Sequence, residues 1–375
     1  MDDRNIRLAL PAGTVLCCGG DRYILGEVSG FGGSSVFYTA KKEGSDLPFG
    51  VKECCPGELA GRLRREGGIL FGADEQADDA LVRARERMLR ETVISQDVAA
   101  VSPRRIPAWD APADIAVETA EGTAAAPAGS FLLLRDVSCT GMFLPRLQAE
   151  CALPKSEGHP LRTGGLPGLH TIACILEQTL CAVELVHVTG YLYGDVQPEN
   201  IFFADVRPEK GDIGFACLLD FGCTRVFDDF TDGEKTARIK DRRVFSTPGY
   251  TAPEIVRGND GTLQLTPAAD IYSVGRLLLF LFRGRAYFEN GRDRVLTEGA
   301  ALTCMLPSEG EKPGCTGESL RLLQRLLDRS LAPEPEERYQ AAAEMLEDVE
   351  ALVRLTRPPQ NQPAPSFSDL AEGEF

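Results

Sequence analysis

The chain has 375 residues, 43% hydrophobic and 26% charged, an ordinary globular composition with enough length for one large or two medium domains. A formal charge of -16 and a sequence pI near 4.8 argue against a nucleic-acid partner, because binding to a phosphate backbone is driven by lysine and arginine. Twelve cysteines and three histidines contain no C-x-x-C pair, which argues against zinc. The amino terminus MDDRNIRLAL lacks a charged-then-apolar signal pattern, so a reducing, cytoplasmic compartment is expected, with the cysteines as small buried apolar residues. The longest apolar run, Leu277 to Phe282, is too short to span a bilayer, and no membrane partner is expected.

Residues 1–21 read as an extension that passes Pro11-Ala12-Gly13. From Tyr23 to Lys42 two β-rich pieces flank Ser29-Gly30-Phe31-Gly32-Gly33-Ser34-Ser35, a strand, glycine-rich turn and strand. Glycine lacks the Cβ that would keep a phosphate away from backbone N–H groups, although the same residues also make a plain hairpin turn. Phe49 to Glu53 forms a third short strand, and Lys52 within it either snorkels to solvent or meets a phosphate and a helix glutamate. Residues 57–80 read as a polar connector, followed by an amphipathic helix over Leu81 to Gln96. Glu91 on that helix is the natural partner for Lys52, with Glu86 in reserve because Lys52 and Glu91 lie 39 positions apart.

Ile106 to Arg135 reads as a hairpin with a long tip, and the β-rich part ends near Asp136. Beyond it, helices are expected over Leu169 to Val188, Ile271 to Phe282, Ser319 to Leu331 and Ala341 to Leu355. A tail from residue 356 onward, rich in proline and acidic residues, is expected to be disordered. The organisation is therefore a β-rich part over 22–136, a mainly helical part over 137–355, and short extensions at both ends.

The strongest local signal is Tyr193-Gly194-Asp195-Val196-Gln197-Pro198-Glu199-Asn200, with Asp195 and Asn200 on a loop between a helix and an apolar strand. A carboxylate there can orient a hydroxyl and accept its proton, and the asparagine amide oxygen can ligate a hard cation. The plain alternative is an Asp/Asn/Pro turn. Leu218-Leu219-Asp220-Phe221-Gly222 supplies a second carboxylate, which together with Asn200 would suit Mg²⁺ bound against ATP. Ser246-Thr247-Pro248-Gly249-Tyr250-Thr251-Ala252-Pro253-Glu254 follows.

Taken in order, these pieces resemble the protein kinase family from about residue 22 to 355, and its bacterial eukaryotic-like Ser/Thr members in particular. The resemblance implies an α+β, bilobal fold with a β-rich N-lobe carrying one main helix and a mostly helical C-lobe. It further implies a Ser/Thr protein kinase that uses ATP and Mg²⁺ on a protein substrate the sequence does not name. Carried onto this chain, Gly30, Gly32, Gly33 and Ser35 would form the turn over the phosphates, and Lys52, held by Glu91, would contact the α- and β-phosphates. Asn200 and Asp220 would bind Mg²⁺, Asp195 would orient the acceptor hydroxyl, and Thr247 sits where Ser/Thr kinases carry a threonine. Asp270 would support the catalytic loop, and Arg338 would pair with Glu254.

Three residues depart from the family pattern. Ser35 stands in place of the third glycine, and Gln197 in place of a lysine. Gly194 replaces the arginine that usually receives an activation-loop phosphate, so activity independent of such phosphorylation is expected. Lys235, Arg238, Lys240, Arg242 and Arg243 either attract an acidic substrate or solvate a loop. Two other classes stay open: a pseudokinase scaffold that binds nucleotide, and a small-molecule kinase of the same fold.

Overall fold

The computed structural model of the chain describes residues 8–45, 48–102, 106, 109–120, 122–134, 141–156, 159–227, 237–239, 247, 249–257, 263–283 and 315–358. The boundary near Asp136, the side chains of the basic residues between 235 and 243, and the tail beyond 358 lie outside the described residues.

Alternation of buried and exposed side chains sets the first strands. In Ser35–Lys42, Val36, Tyr38 and Ala40 face inward while Thr39 and Lys41 face out. Strands β1 (Val15–Cys18), β2 (Asp21–Phe31), β3 (Ser35–Lys42) and β4 (Pro48–Cys54) run as an antiparallel meander. The opening segment, read as an extension before residue 22, thus supplies a strand of the sheet, and Leu10 and Leu16 are buried with it.

The polar connector is also structured. Its Leu63-Arg64-Arg65-Glu66 and Ile69-Leu70-Phe71-Gly72 form a hairpin, β5 (Leu63–Glu66) and β6 (Ile69–Gly72), turned by Gly67 and Gly68 at positive φ. Arg64, Arg65 and Glu66 give β5 the polar character of a connector although it pairs with β6. Helix α1 (Glu75–Val101) begins earlier than its amphipathic pattern, capped by Asp74, whose carboxylate accepts the Ala77 N–H at 2.9 Å.

Four short strands follow: β7 (Trp109–Asp110), β8 (Ala116–Thr119), β9 (Gly122–Ala125) and β10 (Phe131–Leu134). They do not make the single long-tipped hairpin expected over Ile106 to Arg135. β8 and β9 pair with each other and join β1, while β10 crosses to β4, giving the order β7-β10-β4-β3-β2-β1-β8-β9. Apolar Leu132 and Leu133 explain the split, since both are fully buried and belong in the sheet interior rather than on an exposed arm.

The second lobe contains β11 (Gly141–Phe143), α2 (Leu144–Ala152), α3 (Leu169–Val188), β12 (Tyr191–Leu192), β13 (Ile201–Ala204), β14 (Phe215–Leu218), β15 (Arg225–Val226), β16 (Ala237–Ile239), α4 (Pro253–Arg257), β17 (Leu263–Leu265), α5 (Ala268–Arg283), α6 (Gly317–Ser330) and α7 (Ala342–Thr356). The four expected helices fall on α3, α5, α6 and α7. Helix α6 starts with a capping box in which Thr316 and Ser319 satisfy each other's backbone N–H groups.

Each lobe has its own core. Leu16, Tyr38, Val51, Leu81 and Leu132 typify the first, and Leu176, Val183, Leu278, Leu326 and Val349 the second. Helix α3 is long and apolar enough, by length and composition, to cross a membrane, although scattered polar residues interrupt its apolar runs. Here it packs against α7, β14 and α5 with Leu176, Leu180 and Val183 fully buried. Among the described cysteines none is in a disulfide, and among the described residues no cluster of His, Cys, Asp or Glu offers three metal ligands.

Candidate active site

Lys52 is fixed by the strand that carries it. Successive residues of β4 point to opposite faces, so Val51 and Glu53 share one side and Lys52 takes the other. On α1, the buried stripe Leu81, Ala84, Met88, Glu91, Ser95 and Val98 repeats at helical spacing and puts Glu91 on the face turned to the sheet. The two side chains meet with Lys52 Nζ 2.6 and 2.8 Å from the two Glu91 carboxylate oxygens, at 1% and 3% exposure. Glu86 is exposed on the opposite side of the helix and takes no part. The β5–β6 hairpin and the early helix start account for the 39 positions between the partners.

Asp220 comes from the second lobe to the same ammonium, its Oδ1 3.5 Å from Lys52 Nζ. Burial alone would lower the lysine, but the charges of Asp220 and Glu91 outweigh it and hold Lys52 protonated above its usual range. Asp220 has φ of +61°, a left-handed conformation uncommon for a residue with a side chain, and its Oδ1 also accepts the Gly222 N–H at 3.1 Å. The Phe221 N–H donates to Glu91 at 3.2 Å, tying this turn to α1.

The loop after β12 is held from beneath by Asp270, buried at the start of α5. Its carboxylate accepts the backbone N–H groups of Tyr193 at 2.9 Å and Gly194 at 2.8 Å, and lies 2.8 Å from His187 Nε2. Gly194 has φ of +82°, and a Cβ there would meet the Cys223 carbonyl oxygen at 2.9 Å. The Tyr193 hydroxyl donates to the Leu219 carbonyl, and its ring packs edge-on against Phe221 at 5.5 Å, so Tyr193 joins this loop to the Asp220 turn. Tyr193 lies in the strongest sequence signal, but its linking role is not legible there, and neither is that of His187, because a lone helix histidine is an ordinary core residue.

Asp195 gathers three donors. Thr247 Oγ1 donates to Oδ1 at 2.5 Å, and Gln197 Nε2 and Asn200 Nδ2 donate to Oδ2 at 2.8 and 2.7 Å. Burial raises the Asp195 pKa, aided by the charge of Asp220 and opposed by these hydrogen bonds. Asn200 Nδ2 also donates to the Asp195 carbonyl, so its amide oxygen is the atom left for a cation.

The glycine-rich turn closes through Gly32 N–H to the Ser35 carbonyl at 2.9 Å, with open space around Gly30 and Gly33. Ser35, expected among the nucleotide-contacting residues, is instead wholly buried at the start of β3, so its side chain is not at the surface a phosphate would reach. Its place is explained by strand pairing, with Ser35 opposite Cys54.

Two further features were not legible in the sequence. A pocket of about 270 Å³ between α1 and the start of β15 is lined by Arg87, Arg90 and Arg225, with Glu91, Phe221 and Gly222 on its wall. Glu53, beside Lys52 on β4, is a buried carboxylate that accepts the Tyr38 hydroxyl at 2.7 Å and a two-pronged contact from Arg65 at 2.8 and 3.1 Å.

The protein kinase domain family matches residues 149–349. Among curated proteins, the Serine/threonine-protein kinase pkn3 of Myxococcus xanthus is 30% identical over 200 residues, covering 52% of this chain and 34% of that protein. The Serine/threonine-protein kinase PknG of Mycobacterium leprae is 32% identical over 195 residues, covering 50% of this chain and 20% of that protein. The chain thus spans about a third or less of the length of these relatives. In fold it is similar to the PpkA-294 apo form (TM-score 0.57, 19% identity, 91% and 99% of the two chains covered). It is also similar to a double mutant of the PknI kinase domain of Mycobacterium tuberculosis (TM-score 0.54, 17% identity, 92% and 99% covered).

Proposed function

The chain belongs to the protein kinase family, and from that premise we propose that it transfers the γ-phosphate of ATP to serine or threonine hydroxyls of proteins. The observation that carries this reading is the convergence of Lys52, Glu91 and Asp220 from two lobes, beside an Asp195 carboxylate already engaged with the Thr247 hydroxyl.

In this proposal the chain mainly positions and neutralises charge, since phosphoryl transfer asks for little covalent chemistry from the protein. Lys52 would meet the α- and β-phosphates, its protonation secured by Glu91 and Asp220. Gly30, Gly32 and Gly33 would cover the phosphates, the missing Cβ atoms letting phosphate approach the backbone closely. Asp195 would orient the acceptor hydroxyl as it now orients that of Thr247. Gln197 would position Asp195 without supplying a charge to the γ-phosphate.

The donor set also fits Mg²⁺: the Asn200 amide oxygen and the Asp220 carboxylate are hard oxygen donors, and this cation takes one or two protein ligands with the rest from phosphate and water. Bound there, Mg²⁺ supplies neutralisation of phosphate charge. The net charge of -16 supports protein rather than nucleic-acid acceptors.

Intact Lys52, Asp195, Asn200 and Asp220 weigh against a pseudokinase. The doubly bonded Glu254–Arg338 pair, which braces the segment bearing Thr247, weighs against a small-molecule kinase. The test is γ-phosphate-labelled ATP offered with Ser/Thr peptides, Tyr peptides, an aminoglycoside and choline in separate reactions. Label on Ser/Thr peptides is expected; label confined to a small molecule would replace the proposal with that alternative.

A further inference from the structure

The segment directly after Lys52, Glu53-Cys54-Cys55-Pro56-Gly57, is clamped at one end and holds the glycine-rich turn at the other. At its start, the buried Glu53 carboxylate is fixed by Tyr38 and Arg65. Those two partners are themselves tied to the amino-terminal segment, the Tyr38 oxygen accepting the Leu10 N–H at 2.9 Å and Arg65 Nε donating to the Leu8 carbonyl at 2.7 Å. At its end, the Cys55 N–H donates to the Ser34 carbonyl at 3.0 Å and the Gly57 N–H to the Gly33 carbonyl at 2.8 Å. Both acceptors belong to the tip of the turn.

We propose that residues 53–57 are a positioning device that presets the glycine-rich turn for the phosphates of a nucleoside triphosphate and joins it rigidly to the strand bearing Lys52. The inference rests on the reading of this cleft as an ATP site. Its physical basis is the planar trans peptide, in which N–H and C=O of one unit point in opposite directions. Drawing the Gly33 carbonyl toward Gly57 therefore turns the Ser34 N–H to the other side of the turn, where a phosphate oxygen can accept from it. A glycine-rich turn without this backing would have to give up its conformational freedom on binding each nucleotide; here that ordering is already in place. Gly57 and Cys55 touch no ligand in this scheme and act through the turn.

The backbone allows a clean test at Gly57. It is the first residue of a 3-10 turn, Gly57–Leu59, and follows Pro56 with φ of -61° and ψ of 126°, the extended conformation that a residue before proline adopts. Proline is tolerated at such a first position, so Gly57→Pro removes the N–H donor and sets its ring Cδ against the Gly33 carbonyl, which releases the turn from this segment. Gly57→Ala keeps the donor and serves as the control. Binding of Mg-ATP and of adenosine to the full chain is measured by calorimetry for wild type and both variants.

We expect Gly57→Pro to bind Mg-ATP about tenfold more weakly, the worth of roughly one hydrogen bond, with adenosine binding unchanged and Gly57→Ala like wild type. Equal Mg-ATP affinity in all three proteins, or equal losses for ATP and adenosine, overturns the proposal while leaving the ATP site intact. A wild type that does not bind Mg-ATP overturns the ATP-site reading itself. Should Gly57→Pro not fold, hydrogen exchange in the nucleotide-free wild type decides: slow exchange at Cys55 and Gly57 supports the preset turn, and fast exchange at both overturns it.

Discussion

Arg338 sets both terminal guanidinium nitrogens 2.8 Å from the two carboxylate oxygens of Glu254, a residue 84 positions earlier in the chain. The arginine side chain has no solvent exposure, and its remaining donors go to the carbonyls of Ala332, Ala268 and Pro333. Removing one partner leaves a buried charge uncompensated, so Arg338→Met should destabilise the protein by about 3–5 kcal/mol. Arg338→Lys should recover little, because an ammonium cannot make the parallel two-pronged contact. Thermal or urea unfolding of the two variants checks both expectations.

Asp195 sets function against stability. Its folded pKa is raised, with burial the main cause. A raised carboxylate stabilises the fold below its unfolded pKa of about 3.9, and that contribution is lost as pH rises through the folded value. At pH 7 the charged form is therefore a net cost, and Asp195→Asn should raise Tm there, with the gain shrinking toward acid. Its oxygen can still accept from Gln197 and Asn200, and its new N–H₂ can face the Thr247 hydroxyl. Phosphoryl transfer should fall by about 10²–10⁴-fold in the same variant, since the orienting carboxylate is gone.

The Lys52 site answers to charge rather than size. Lys52→Met leaves Glu91 buried without its partner and removes the cation facing the phosphates. A loss of about 10²–10³ in kcat is expected, the scale of one electrostatic contact to developing charge. Glu91→Gln keeps a hydrogen-bond acceptor for Lys52 and should lose less. Steady-state rates with saturating Mg-ATP distinguish the two.

Gly194 stands where the family pattern carries an arginine, and the carbonyl of Cys223 crowds the space a side chain would need. Phosphatase-treated protein should therefore keep most of its transfer rate. Collapse of the rate after treatment would mean that another basic group reads a phosphate, and Arg87, Arg90 and Arg225 around the pocket behind Glu91 would be the first to substitute.

Much of this site was legible because its chemistry is local in sequence: Asp195 and Asn200 share one loop, Asp220 follows an apolar strand, and Lys52 sits in another. What was hidden depends on partners far apart in the chain. The β5–β6 hairpin looked like a polar connector because Arg64, Arg65 and Glu66 are charged, yet Arg65 is needed to neutralise the buried Glu53. Strands β8 and β10 fell on opposite sides of the sheet, a choice made by packing of Val117, Leu132 and Leu133 rather than by any turn signal. Ser35 matched a glycine position by spacing, but strand pairing with Cys54 buries it.

The most direct test is to incubate the full chain with Mg-ATP and map phosphorylated residues by mass spectrometry, beside Asp195→Asn and Asp220→Asn proteins verified as folded. Phosphate on serine or threonine in the wild type, absent from both variants, is the predicted result. Phosphate that persists in both variants, or none in a folded wild type that is also inactive on Ser/Thr peptides, would contradict the assignment of Asp195 and Asp220 as the residues that make this chain a kinase.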